Sequence, residues 1–172
     1  VEILSETKFL QDRVAYNILQ EYARSGMLKE VHLFDTCELE KFLPNLTIIN
    51  RHDKINEAIV SSLHMMNVFN NTESVLSTGS EFSEISKISA IGSYDLKEDV
   101  EKLYFSLDSV REKCYYYAVP KKQLEEDTEL LGLITNKMKE KTENGKIKVF
   151  YSIHSTDYEQ LYCYVLAKSS QV

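Results

Sequence analysis

Histidine next to serine and threonine is the first combination in this sequence that could carry chemistry. Nucleophilic catalysis pairs a serine or cysteine with a histidine base, and His154-Ser155-Thr156 places such residues side by side. The tripeptide lies where a strand is predicted to lead into a helix, and serine and threonine are ordinary helix-capping residues at such a junction. Capping is therefore the preferred interpretation, and no catalytic residue is predicted.

The histidines and cysteines do not form a metal-binding pattern. The histidines show neither HxxxH nor HxH spacing, and the cysteines lack CxxC spacing, so neither a metal site nor a disulfide framework is predicted. The residues concerned are His32, His52, His64, His154, Cys37, Cys114 and Cys163. We expect the cysteines to be reduced, buried thiols.

Carboxylates and glycines are the remaining candidates for chemistry on phosphates. Two-metal cleavage of phosphodiesters needs two or three acids around shared ions, but the predicted strands carry Val, Ile, Tyr and Phe instead of paired acids. The acids at 125–127 begin a helix, where negative charge complements the helix dipole. Gly79 and Gly92 stand alone, outside any known phosphate-binding loop. No cofactor is predicted.

One basic cluster interrupts an acidic chain. The sequence has 27 acids against 20 lysines and arginines, and its net charge of −7 repels a phosphate backbone at long range. The cluster spans a predicted helix end and the following strand start, and consists of Lys137, Lys139, Lys141, Lys146 and Lys148. These are the candidate DNA-binding residues, although cations at a helix C-terminus are also expected for local reasons.

Length and composition indicate one folded unit. The 172 residues fit a single domain covering 1–172, and 43% hydrophobic with 27% charged residues is typical of a globular protein. No run approaches the ~20 apolar residues that span a bilayer. Charged residues interrupt the start of the chain, so no signal peptide is predicted. The expected compartment is the cytosol or nucleus.

The first half alternates predicted strands and helices. The order is a strand at 1–4, a helix at 8–24, strands at 31–34 and 46–49, and a helix from Asp53. The helix at 8–24 carries an apolar stripe of Leu10, Val14 and Ile18 at helical spacing. Residues 67–95 are rich in Asn, Ser, Thr and Gly, which predicts a long loop with at most one strand.

The second half predicts a more regular alternation. Its order is a helix at 96–113, a strand at 114–119, a helix at 124–141, a strand at 147–152 and a helix at 156–167. Such alternation favours an α/β fold, a mostly parallel sheet with helices on both faces. The last helix carries an apolar stripe that is either deeply buried or docked on a partner subunit, and the candidate partner-binding residues are Tyr158, Leu161, Tyr162, Val165 and Leu166.

Several runs of the second half occur together in a recognisable order. They are Lys102-Leu103-Tyr104, the strand at 114–119, the run 130–134, and the run 146–152 leading into Ser155, Glu159 and Leu166. Over about residues 83–168 this arrangement resembles the nuclease domain of the XPF-type structure-specific endonucleases. Residues 84–89 lie where that family carries its Glu-Arg-Lys signature and a following Ser-Ile-Ser. The contiguous Glu-Arg-Lys and the Gly-Asp pair of active members are both missing here.

The resemblance implies a catalytically inactive, nuclear member of the XPF family. Such members pair with a second XPF-type subunit and recognise branched DNA, and the meiotic crossover members are the most similar. Two alternatives stay open. One is an active metal-dependent nuclease, in which Glu84 is a remaining metal ligand. The other is a Rossmann-like protein-interaction domain unrelated to DNA.

Overall fold

The computed structural model describes residues 6–78, 82–83, 85–143, 145 and 147–170. The predicted strand at 1–4 lies outside these ranges, as do Glu84 and Lys146. The elements are α1 (Glu6–Arg24), β1 (Val31–Leu33), α2 (Thr36–Phe42), α3 (Arg51–Asn71), β2 (Leu76–Ser77), β3 (Ile88–Asp95), β4 (Val100–Leu103), β5 (Glu112–Pro120), α4 (Lys121–Glu126), α5 (Leu130–Glu143), β6 (Lys148–Thr156) and β7 (Tyr162–Ser169).

The fold is mixed α/β around one central sheet. Its strand order is β1-β3-β7-β5-β6-β2, and β4 pairs with β3 beside β1. Only β1 with β3 and β5 with β6 are parallel among the six strand pairings of the described residues. The α/β prediction is confirmed, but the mostly parallel sheet is wrong. The reason is β7, which lies between β3 and β5 and is antiparallel to both.

Helices pack on both faces of this sheet. On one face, which we call the α5 face, Leu130, Ile134 and Met138 pack against Tyr117 and Val165 of the sheet, among others. On the opposite α3 face, Met65, Met66 and Phe69 pack against Ile91, Ala118 and Leu166. Alternate residues of a strand point to opposite faces, so β5 supplies Tyr117 to one layer and Ala118 to the other.

Three predicted elements are wrong. Residues 46–49 form an exposed loop between α2 and α3 instead of a strand. The predicted helix at 96–113 is a turn at 96–99 followed by β4 and a loop. The predicted helix at 156–167 is a loop after β6 in its first half and β7 in its second half. The segment at 67–95 is also more regular than expected, because α3 continues to Asn71 and β3 occupies Ile88–Asp95.

The β3–β4 hairpin explains why 96–103 is not helical. The carboxylate of Asp95 accepts hydrogen bonds from the backbone N–H groups of Lys97 at 2.9 Å and Glu98 at 3.0 Å, which fixes a tight turn. Gly92 then allows β4 to approach β3 closely, since a Cβ there would lie 2.5 Å from the carbonyl oxygen of Lys102. No helix within the described ranges is long and apolar enough to cross a membrane.

Candidate functional site

The predicted partner-binding residues do not share one surface. Because this segment is a strand and not a helix, Val165 and Leu166 point to opposite faces of the sheet, and both are buried. Tyr158 and Tyr162 remain partly exposed and pack edge-on at 5.7 Å between ring centroids. Leu161 packs against the core on the α5 face. Partner binding through these residues stays a prediction, but its helical basis is wrong.

The predicted basic cluster is dispersed by ion pairing. The Lys141 ammonium lies 2.8 Å from Asp99 and 3.2 Å from Glu101, and Lys137 lies 3.7 Å from Asp99. Lys148 is exposed, with its ammonium 3.7 Å from the Glu112 carboxylate. Lys139 is exposed on α5, and Lys146 lies outside the described residues. Among the described lysines of the cluster, only Lys137 and Lys141 share an ion-pair partner, and that partner is Asp99.

These acids belong to a network that joins β4 to α5. Burial opposes ionisation of Glu101, but hydrogen bonds from Lys113, Tyr115 and Lys141 outweigh it and lower the pKa of this carboxyl. The pKa of Asp99 is lowered in the same way, because hydrogen bonds from Lys141 and Tyr94 outweigh its burial. Because both carboxylates are already paired with lysine and tyrosine donors, we interpret this network as structural.

His154 is buried but is not bonded to the neighbours that the sequence suggested. Strand β6 continues through Thr156, so Ser155 and Thr156 do not cap a helix. The imidazole instead contacts two other hydroxyls, with Nε2 2.6 Å from Ser152 Oγ and Nδ1 2.9 Å from Thr72 Oγ1. Burial lowers the pKa of His154. Strand alternation could have identified Ser152, since residues 152 and 154 lie on the same face of β6.

The apolar stripe of α1 is exposed. Leu10, Val14 and Ile18 are 55%, 58% and 50% exposed, although they have the spacing of a buried helix face. The helix is attached through its other side, where Tyr16 packs edge-on against Phe105 at 6.2 Å. Ala23 near the end of the helix is also buried. The stripe is therefore available to another surface.

A second apolar group is displayed by the loop between α2 and α3. Ile48 and Ile49 are 96% and 94% exposed. The backbone N–H of Thr47 donates to Asn50 Oδ1 at 2.7 Å, and the N–H of Asn50 donates to Thr47 Oγ1 at 3.2 Å. These reciprocal bonds hold the loop in one shape, so the two isoleucines form a fixed tip. We call this loop the isoleucine tip.

Comparisons with known proteins identify the fold. No protein-family model matches the chain, and no curated protein matches it. Among solved structures it is similar to the empty FtsZ dimer of M. jannaschii (TM-score 0.57, 10% identity, 83% of this chain and 46% of that one). It is also similar to a GTPγS-form protofilament of TubZ from Bacillus thuringiensis serovar israelensis (TM-score 0.61, 15% identity, 92% of this chain and 48% of that one). A third similar structure is GDP-bound monomeric CetZ1 from Haloferax volcanii (TM-score 0.55, 15% identity, 89% of this chain and 50% of that one).

The chain thus has an FtsZ/tubulin-like fold and spans about half the length of these structures. The XPF resemblance is wrong. It depended on helices at Lys102–Tyr104 and 155–166, but neither run is helical in the structure. The expected meiotic, DNA-recognising function is overturned with it. So is the expected heterodimer with an XPF-type partner, since these neighbours include a dimer and a protofilament of FtsZ/tubulin-like proteins.

Proposed function

We propose that this chain is a self-associating module with an FtsZ/tubulin-like fold, which joins copies of itself into a larger assembly. The observation that carries the proposal is the exposed apolar stripe of α1, Leu10, Val14 and Ile18, together with the isoleucine tip. Two solved proteins of similar fold are described as a dimer and as a protofilament, which supports contacts between like subunits as the use of such surfaces.

The energy available from these surfaces is substantial. Burying one aliphatic side chain is worth about 1.5–3 kcal/mol, so the three stripe residues could supply several kcal/mol. Part of this gain is lost again to the entropy of association. The fixed shape of the isoleucine tip limits that loss, because the loop is already ordered by the Thr47 and Asn50 hydrogen bonds.

Assembly, and not nucleotide binding, is the role we assign to this chain. The TubZ and CetZ1 structures carry GTPγS and GDP in their descriptions. The described part of the chain has four glycines. Gly26 follows α1, Gly92 lies inside β3, Gly132 lies inside α5 and Gly145 precedes β6. No glycine-rich turn there leads into a helix N-terminus, where phosphates bind.

A second candidate is a Rossmann-like interaction domain, unrelated to DNA, that binds a different protein through the same α1 stripe. The net charge of −7 favours this alternative, because identical copies repel each other whereas a basic partner is attracted. The salt dependence of association distinguishes self-association from binding of a basic partner. Screening strengthens association between copies of equal charge and weakens association with a basic partner.

Sedimentation velocity over a concentration series tests self-association. We expect the average mass to rise with concentration and more steeply at high salt, and Ile18→Lys to weaken this at least tenfold. The matched control is Leu131→Lys, because Leu131 is also 50% exposed but lies on α5. The double variant Ile48→Lys, Ile49→Lys tests the isoleucine tip in the same way. A monomer at every concentration and salt level, or equal disruption by Leu131→Lys, would contradict the proposal.

A further inference from the structure

A groove of about 460 Å³ opens on the α3 face between the end of α3, the β2 segment and strands β5 and β6. The described residues that line it include no Asp, Glu, Lys or Arg, and they combine aromatic rings with hydroxyl groups. Phe69 and Tyr116 stack at 4.9 Å on one side, and Phe82 meets Phe150 edge-on at 5.7 Å. A neutral molecule with an apolar or aromatic part suits such a groove.

Ser152 and His154 lie at this groove in a fixed hydrogen-bond chain. The Thr72 hydroxyl has one proton, which it donates to the carbonyl oxygen of Val68 at 2.8 Å. Toward His154 Nδ1, 2.9 Å away, Thr72 can therefore only accept, so Nδ1 carries the proton. Nε2 of the neutral ring is then an acceptor, and Ser152 donates its proton to it at 2.6 Å.

The imidazole is held ready to accept that proton. His154 is 3% exposed, and burial lowers its pKa below the ordinary value of histidine, so the ring is neutral at neutral pH. The Cys114 thiol, which also lines the groove, is inert by comparison, because burial raises its pKa to about 12.

We propose that Ser152 is a nucleophile activated by His154, and that the groove cleaves small uncharged carboxylic esters. Ser152 Oγ attacks the ester carbonyl carbon while its proton passes to His154 Nε2. The bond to the alcohol oxygen breaks, and the imidazole returns the proton to the leaving alcohol. Water then attacks the acyl-serine, releases the carboxylic acid and restores the Ser152 hydroxyl.

Two further residues support this chemistry without taking part in it as nucleophile or base. Thr72 is a positioning residue, because its oxygen fixes the tautomer and orientation of the imidazole. Asn70 lines the same groove, and its amide makes no hydrogen bond to the other described residues. This amide is available to donate to the oxyanion that forms on the ester carbonyl.

Labelling with an uncharged fluorophosphonate, followed by peptide mass analysis, tests the proposal directly. We expect one label, on Ser152, and turnover of p-nitrophenyl butyrate that Ser152→Ala abolishes. His154→Gln should slow labelling by about 100-fold or more, the usual effect of a general base. Ser155→Ala is the matched control, because Ser155 is the exposed neighbour of His154 on the same strand and should label at the wild-type rate.

Thr72 variants keep the test decisive if removing the buried His154 unfolds the chain. Thr72→Val should slow turnover and move the acidic limb of its pH profile, whereas Thr72→Ser keeps the hydroxyl and should restore both. Circular dichroism monitors folding of each variant. Absence of label on Ser152 in a folded wild-type chain, or an equal labelling rate in folded His154→Gln, would overturn the proposal.

Discussion

Helices α1 and α5 carry apolar stripes of identical spacing, but the α5 stripe is buried and the α1 stripe is exposed. Leu130, Ile134 and Met138 of α5 follow each other at intervals of four residues and are 7%, 0% and 4% exposed. The α1 stripe has the same intervals, yet each of its residues is at least half exposed. Periodicity therefore predicts a helix and its apolar face equally well in both cases, but not whether anything covers that face.

Topology explains the difference. Helices α4 and α5 connect β5 to β6, which are parallel neighbours in the sheet, so this connection must cross one face of the sheet. In addition, the Asp127 carboxylate accepts from the N–H of Leu130 at 3.0 Å and fixes where α5 begins. Helix α1 leads into the three-residue strand β1 next to β3, a position that does not place its stripe on the sheet.

Matched isoleucine truncations test this comparison and should give the largest difference. Ile134→Ala removes buried methylenes and leaves a cavity, so we expect a loss of about 2–5 kcal/mol in the free energy of unfolding. Ile18→Ala should change it by less than about 0.5 kcal/mol in the dilute chain. Urea denaturation of both variants at low protein concentration measures this. Similar losses would mean that the α1 stripe is covered within a single chain.

The sequence predicted those elements whose local pattern agrees with their final environment. Helices α1, α3 and α5 and strands β1, β5 and β6 belong to this group. Strand β7 does not, because it is buried on both faces, and its run Tyr162–Ala167 is continuously apolar. Such a run fits a buried helix as well as a buried strand. Only its pairing with β3 and β5 decides, and that pairing is not a local property.

The candidate sites show the same limit. The α1 stripe was predictable as a helix face, but its exposure was not. The β-branched Ile48 and Ile49 predicted a strand, whereas the hydrogen bonds between Thr47 and Asn50 make a loop. Thr72 contacts His154 across 82 positions of sequence, and no spacing rule connects the two. For residues 46–49, the preceding Pro44 and Asn45 could have indicated a loop, because both residue types are common in turns.

Lysines near the end of α5 give a second test of the comparison, with an expected effect of intermediate size on the free energy of unfolding. Lys141→Met removes the ammonium bonded to Asp99 and Glu101, and we expect a loss of about 1–2 kcal/mol at neutral pH. Lys139→Met, two positions earlier and exposed, should be close to neutral. Chemical denaturation compares them, and equal effects would show that the network adds no stability.

The same pair of variants has a predicted pH dependence. Asp99 and Glu101 have pKa values below their ordinary range in the folded chain, so the unfolded chain binds more protons near pH 4. Their contribution is present above that range and is lost as the pH falls through the folded pKa values. The difference between wild type and Lys141→Met should therefore shrink as the pH falls to about 3. A constant difference would contradict this.

Two tyrosines on α1 give the smallest and most local test. Tyr16 packs against Phe105 on the attached side of the helix, whereas Tyr22 is partly exposed. Tyr16→Ala should cost about 1 kcal/mol, since an aromatic pair is worth about 0.5–1.5 kcal/mol beyond its buried area. Tyr22→Ala should cost less than half as much. Hydrogen exchange of α1 amides should accelerate in the first variant and not in the second, because Tyr16, unlike Tyr22, packs against the core. The reverse order would mean that α1 is attached through its apolar stripe.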